Sequence, residues 1–276
     1  LGHGLEFRNR HHFEGGDPVH STTNLYAFHT QYRHYATTGT VGFRCNGLRH
    51  EDLCEIIQDS QSQADPAQYM RSQDLSRQNY QTTMFVQLLA ALENQGAFDD
   101  GCKMMPRLNL VTREFQDTND SSFQWNRKAA GLGFGGMNLE TANSLSQNDW
   151  LLIALSWSAQ RDLSTYLEMW GYSYSEMALD HVASLGLASL SPAYYAIDNN
   201  QHCFGLDHPE IPIDGVTEWS ANIRESKMAA SKSAGFTPDY LRFDHDHICT
   251  LGSHETAKPQ AQVSSPSDTF QSKLER

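Results

Sequence analysis

Between Gln78 and Gly96 the chain sets Tyr80, Met84, Phe85, Leu88, Leu89 and Leu92 at helical spacing. Gly96 is suited to ending the helix in a left-handed turn. A stripe of this length has to be buried by other elements, and the sequence supplies them as helices. Asp149 is expected to cap a helix carrying Leu151, Leu152, Leu155 and Trp157 or Ser158. Asp162 is expected to cap a second one, with Leu163, Tyr166, Leu167 and Trp170 on one face and Gly171 at its end. Ser173 and Glu176 have the spacing of a capping box, opening a third helix with Ala178, Val182 and Leu185, stopped at Gly186. Short helices joined by tight turns predict a mainly α fold, a helical bundle.

The remaining segments are less strongly marked. Residues 21–35 read as a helix, broken from Thr37 to Cys45 by two glycines. Leu48 to Asp59 reads as a short helix, and residues 60–76 as an exposed connection with a helical turn. Pro106 to Phe115 suits helix or strand. Residues 116–148 are polar and glycine-rich, and Gly131–Gly136 reads as a flexible surface loop. Its spacing is not that of a phosphate-binding loop, and no Lys-Ser/Thr follows. Beyond Pro192, prolines and glycines cut the chain into irregular pieces. After Gly252 a Ser-, Pro- and Gln-rich tail is expected to be poorly ordered.

With 276 residues the chain can bury a sizeable core. Its formal charge of −13 argues against a nucleic-acid backbone or an anionic membrane as partner. Its longest apolar run, Trp150 to Leu155, is far short of the roughly 18 residues a membrane span needs. The five cysteines contain no CxxC pair, so a cysteine-built zinc site is not expected. Bridges Cys45–Cys54 and Cys203–Cys249, leaving Cys102 single, would suit an extracytoplasmic protein. Five reduced thiols are the alternative.

The chemistry-bearing residues gather at the start. His3, His11, His12, His20, His29 and His34 are six of the thirteen histidines, and Glu14 and Asp17 lie among them. Such a density of imidazoles and carboxylates is a candidate metal or acid–base site. Asp244-His-Asp-His247 is a lesser metal candidate. His50-Glu51 and His254-Glu255 lack the second histidine that a metallopeptidase helix requires.

Two stretches resemble one family. The first is Phe85-Val-Gln-Leu-Leu-Ala-Ala-Leu-Glu-Asn-Gln-Gly96 with Pro106-Arg-Leu-Asn-Leu-Val-Thr-Arg-Glu-Phe115. The second runs from Asn148 through Asp162-Leu163, Tyr166 and Trp170-Gly171 to Ser173-Tyr-Ser-Glu-Met-Ala178. Together they resemble the helical C-terminal half of the enhancin-like, mucin-targeting zinc metallopeptidases, a gluzincin family. The Trp-Gly element is the most specific part, and the resemblance covers residues 20–197.

The resemblance implies a zincin-like catalytic domain, of which residues 1–197 are the helical C-terminal part, followed by an irregular extension and tail over 198–276. It also implies Zn²⁺ as cofactor, a glycoprotein substrate and a secreted or cell-surface setting. Leu1-Gly2-His3 then matches the last three residues of an HExxH motif. In that motif two histidines share a helix face and bind the metal, and the glutamate between them activates water. His3 is the implied second ligand; the first histidine and the general-base glutamate are expected before Leu1. The third ligand falls on His20, at the family's position before Asn24, or on Glu14, the nearest carboxylate. On this reading the 276 residues alone are expected to be inactive. The alternative is a non-catalytic glycan- or protein-binding module on the same helical scaffold.

Overall fold

The computed structural model describes residues 13–14, 24–26, 30, 37–38, 48–75, 78–197 and 208–219. All of these belong to one compact unit of the chain. Its helices are α1 (His50–Gln61), α2 (Pro66–Ser72), α3 (Gln78–Asn94), α4 (Met104–Thr118), α5 (Ser122–Lys128), α6 (Leu139–Ser144), α7 (Gln147–Ala159), α8 (Ser164–Glu168) and α9 (Glu176–Ser184). A two-residue strand β1 (Tyr194–Tyr195) pairs antiparallel with β2 (Glu210–Ile211), Tyr194 facing Ile211 and Tyr195 facing Glu210. The fold is mainly α, as the punctuated helical pattern predicts. Pro106–Phe115 resolves as helix, inside α4. Thr37 and Thr38 are also helical, although a break is expected there.

Two helices form the interior. α3 is buried on all sides rather than along one stripe: Phe85, Val86, Leu89, Ala90, Ala91 and Leu92 are closed off, and so are Gln81, Thr83 and Gln87 on the polar positions. α7 is likewise enclosed from Trp150 to Ser156. A helix apolar on every face has to be surrounded, and α4 and α9 pack on α7 while β1 packs on α3.

The caps differ in detail from expectation. Ser146, not Asp149, caps α7 by accepting from the Asp149 amide (3.1 Å). Ser175, not Ser173, caps α9 by accepting from the Ala178 amide (3.2 Å). Asp162 does accept from the Ser164 amide (2.9 Å) at the start of α8. Asp149 lies in the first turn of α7, where its carboxylate accepts from the Ser175 amide (2.8 Å) and ties α7 to α9.

The glycine-rich segment before α6 is the largest correction. Residues 129–132 form a 3₁₀ turn, and Phe134 is fully buried beneath it. Phe134 lies 5.1 Å from Phe115, 5.9 Å from Trp125 and 6.2 Å from Trp150, centroid to centroid. Gly133 has φ +88°, and a Cβ there would stand 2.6 Å from the Trp157 side chain. Glycine is therefore required here for close packing and a left-handed turn, not for flexibility. The Trp157 indole N–H donates to the Gly131 carbonyl (3.0 Å), and the Gly133 carbonyl is bonded to His181 Nε2 (2.8 Å).

Cys54 and Cys102 are free, buried thiols. The expected Cys45–Cys54 bridge is therefore not made; Cys203 and Cys249 lie outside the described residues. Burial, reinforced by nearby carboxylates, pushes both described thiols up to about 12. Thiols so far from ionising are packing groups rather than nucleophiles.

Candidate functional site

The first turn of α7 is where the histidine-rich stretch meets the helical body. Asn148 is the second residue of α7 and is 6% exposed. Its side-chain oxygen accepts the Glu14 backbone N–H at 2.9 Å. The neighbouring Phe13, 1% exposed, lays its ring on Tyr172 with centroids 3.7 Å apart and planes 16° apart. Phe85 of α3 lies 6.1 Å away on the same ring. Tyr172 is itself fixed, its hydroxyl donating to the Met84 sulfur (3.3 Å). Burial raises that phenol well above its ordinary range, so it stays protonated.

The Glu14 side chain is exposed and stands on the rim of a cleft of about 380 Å³. The cleft floor comes from the turn between α8 and α9, with Trp170, Gly171, Tyr172 and Ser173. Its polar wall comes from Arg71, Gln73, Asp74, Gln81 and Asn148. A second docking point follows in sequence. Leu25 is 2% exposed, and Asn109 of α4 donates to the Tyr26 hydroxyl at 2.5 Å.

Of the proposed ligands, Glu14 is described, whereas His3 and His20 lie outside the described residues. So do His11, His12, Asp17 and the Asp244–His247 group. Among the described residues no three His, Cys, Asp or Glu side chains converge as metal donors. The donor types the sequence offers, two imidazoles and a carboxylate, suit Zn²⁺. Sequence periodicity gave no sign of Asn148 or Phe13. Both act through contacts to segments remote in the chain.

His50 has a different role. It is fully buried, and its Nδ1 is 2.9 Å from Gln87 Nε2. The Gln87 amide also donates to the Tyr195 carbonyl (2.9 Å) and accepts the Tyr195 amide (2.8 Å). Tyr194 donates its hydroxyl to the His50 carbonyl (2.5 Å). Burial, with a smaller contribution from His208, lowers His50 to about 3. The folded protein thus holds a neutral imidazole, while the unfolded chain protonates near the ordinary value of about 6.5. The stability this burial allows is intact above that value and falls as pH drops from 6.5 toward 3. Unfolding free energy is expected to fall by about 2–3 kcal/mol between pH 6.5 and 4.5 through His50 alone. Urea titrations of wild type and His50→Gln at the two pH values check this. The variant should show the shallower loss, and equal losses would remove His50 as the cause.

No protein-family model matches the chain. Over 80 residues, 27% of the chain and 9% of the relative, it is 36% identical to the immunomodulating metalloprotease of Pseudomonas aeruginosa. The solved IMPa metallopeptidase from Pseudomonas aeruginosa matches it with a TM-score of 0.57 at 22% identity, over 75% of this chain and 24% of that one. The chain is similar to the IMPa metallopeptidase. IMPa in complex with T-antigen matches with a TM-score of 0.55 at 21% identity, over 76% and 26% of the two chains. IMPa in complex with an O-glycopeptide gives 0.56 at 20% identity, over 75% and 24%. The chain therefore spans about a quarter of the length of the IMPa structures. Their likeness is one of fold.

Proposed function

We propose that the chain is the helical part of a zinc-dependent endopeptidase acting on glycoproteins such as mucins. The observation that carries this reading is the combined likeness, in sequence and in fold, to a metalloprotease solved with an O-glycopeptide. The docking of Glu14 on α7 and of Phe13 on Tyr172 supports it, because it ties these two residues to the body that shares the fold.

In this reading His3 supplies one imidazole, and His20 or Glu14 the distal ligand. A bound zinc would supply Lewis-acid polarisation of the scissile carbonyl and lower the pKa of water. The reading requires a His-Glu pair directly before Leu1, its glutamate removing the proton from the attacking water. The cleft beside Glu14 offers amide and charged groups that can pair with glycan hydroxyls. A secreted or cell-surface setting is part of the same proposal. Among the described residues, no helix is long and apolar enough to cross a membrane.

The test is made on the complete protein with an O-glycosylated peptide as substrate. His3→Ala is expected to bring cleavage to background and to remove the zinc. His20→Ala and Glu14→Ala should differ, with the ligand's substitution losing zinc and the other retaining it. Cleavage unaltered in His3→Ala would overturn the assignment.

A further inference from the structure

We propose that residues 208–219 form a strap, latched onto α1 and β1 through His50 and released by acid. The segment is held at three places. Glu210 and Ile211 pair as β2 with Tyr195 and Tyr194 of β1. Gln58 of α1 donates to the Pro212 carbonyl (2.6 Å) and accepts the Asp214 and Gly215 amides (3.1 and 2.7 Å). The Trp219 ring lies parallel to His50, with centroids 6.3 Å and planes 4° apart, and meets Tyr194 edge-on at 6.3 Å. The first and third of these holds converge on His50.

His50 fits there only as a neutral imidazole. The Gln87 amide cannot turn, because its oxygen accepts the Tyr195 N–H while its nitrogen donates to the Tyr195 carbonyl. That nitrogen also meets His50 Nδ1 (2.9 Å), which must therefore accept. An imidazolium carries a proton on both ring nitrogens and would set donor against donor at this contact. Either His50 leaves, and with it the ring against Trp219, or Gln87 gives up Tyr195 in the strand that holds β2. Toward His50, α3 presents the Gln87 amide, β1 the Tyr194 hydroxyl, and the strap His208 and Trp219. The charge of His208 opposes protonation of His50. Glu51 on α1 and Glu210 and Glu218 on the strap are exposed, and Cys54 is a protonated thiol. In the released strap His50 takes up a proton near 6.5, whereas burial holds the docked residue at about 3. The latch is therefore at full strength above 6.5 and weakens as pH falls toward 3.

Hydrogen–deuterium exchange of the complete protein at pH 6.5 and 4.5, corrected for the intrinsic pH dependence of exchange, tests this. Peptides covering 208–219 report the strap, and peptides covering α7 report global unfolding. In wild type the opening of the strap is expected to rise about 50-fold between the two pH values, with α7 exchanging more slowly than the strap at both. In His50→Gln, whose side chain does not titrate, the rise should be much smaller. A strap that opens at the same rate as α7 at each pH overturns the proposal, because release would then be global unfolding. So does a strap opening that does not change with pH. Both of these outcomes are read on wild type alone and hold even where the variant does not fold. An equal rise in wild type and in folded His50→Gln overturns the assignment of the latch to His50.

Discussion

Phe115→Ala is expected to lower the unfolding free energy by about 3–5 kcal/mol. Phe115 is fully buried at the centre of four aromatic rings contributed by α4, α5, α7 and the glycine-rich turn. Trp125 meets it edge-on at 5.4 Å and Trp150 edge-on at 5.5 Å, while Phe134 is tilted at 5.1 Å. Truncation removes the transfer energy of the ring and leaves a cavity whose walls are large, rigid rings that collapse poorly. Edge-to-face pairs add to that loss. The Trp125 indole N–H donates to the Met137 carbonyl (2.8 Å), which ties the cluster to the turn and limits repacking. Chemical denaturation monitored by tryptophan fluorescence gives the value. A loss below about 1 kcal/mol would mean that the cluster is not a unit of packing, since ordinary surface substitutions already cost up to about half of that.

Gln87→Leu is expected to cost about 2–6 kcal/mol, although leucine fills nearly the same volume. The Gln87 amide closes a ring of hydrogen bonds with the Tyr195 backbone N–H and carbonyl, and its nitrogen also meets His50 Nδ1. Leucine leaves the Tyr195 N–H and His50 Nδ1 in the interior without their Gln87 partner, each at a penalty of about 1–3 kcal/mol, while the Tyr195 carbonyl keeps the Ile197 N–H (2.8 Å). Against a total stability of about 5–15 kcal/mol this is a large share. Denaturant midpoints together with amide exchange at Tyr195 check it. The exchange should rise first at β1, because its backbone loses its side-chain partner there. A neutral substitution would show that β1 is held by its packing alone.

The helices and the apolar residues that bury them were legible in the sequence because spacing reports burial directly. α3 and α7 fall where the periodicity puts them, and Gly96 and Gly186 end their helices with φ of +69° and +65°. What spacing cannot report is the partner of a polar group. Gln81, Thr83 and Gln87 looked like the wet side of an amphipathic helix. They are interior, because the helix is covered by chain far away in sequence. The same limit explains Gly131–Gly136. Glycines that allow a tryptophan to approach the backbone have the same composition as glycines in a surface loop. The caps of α7 and α9, Ser146 and Ser175, lie three residues before and two residues after the expected Asp149 and Ser173, because several hydroxyl and carboxylate residues lie together there.

The candidate site was legible as chemistry and not as geometry. The cluster of histidines around Glu14 stands out by composition. The docking of Phe13 and Glu14 does not, because it runs through a ring stack and an asparagine far away in sequence.

Zinc content of the complete protein, purified without added metal and measured by elemental analysis, tests the central claim most directly. The account predicts one zinc per chain, lost on His3→Ala. A wild-type protein carrying much less than stoichiometric zinc, and gaining none on dialysis against it, would contradict the account.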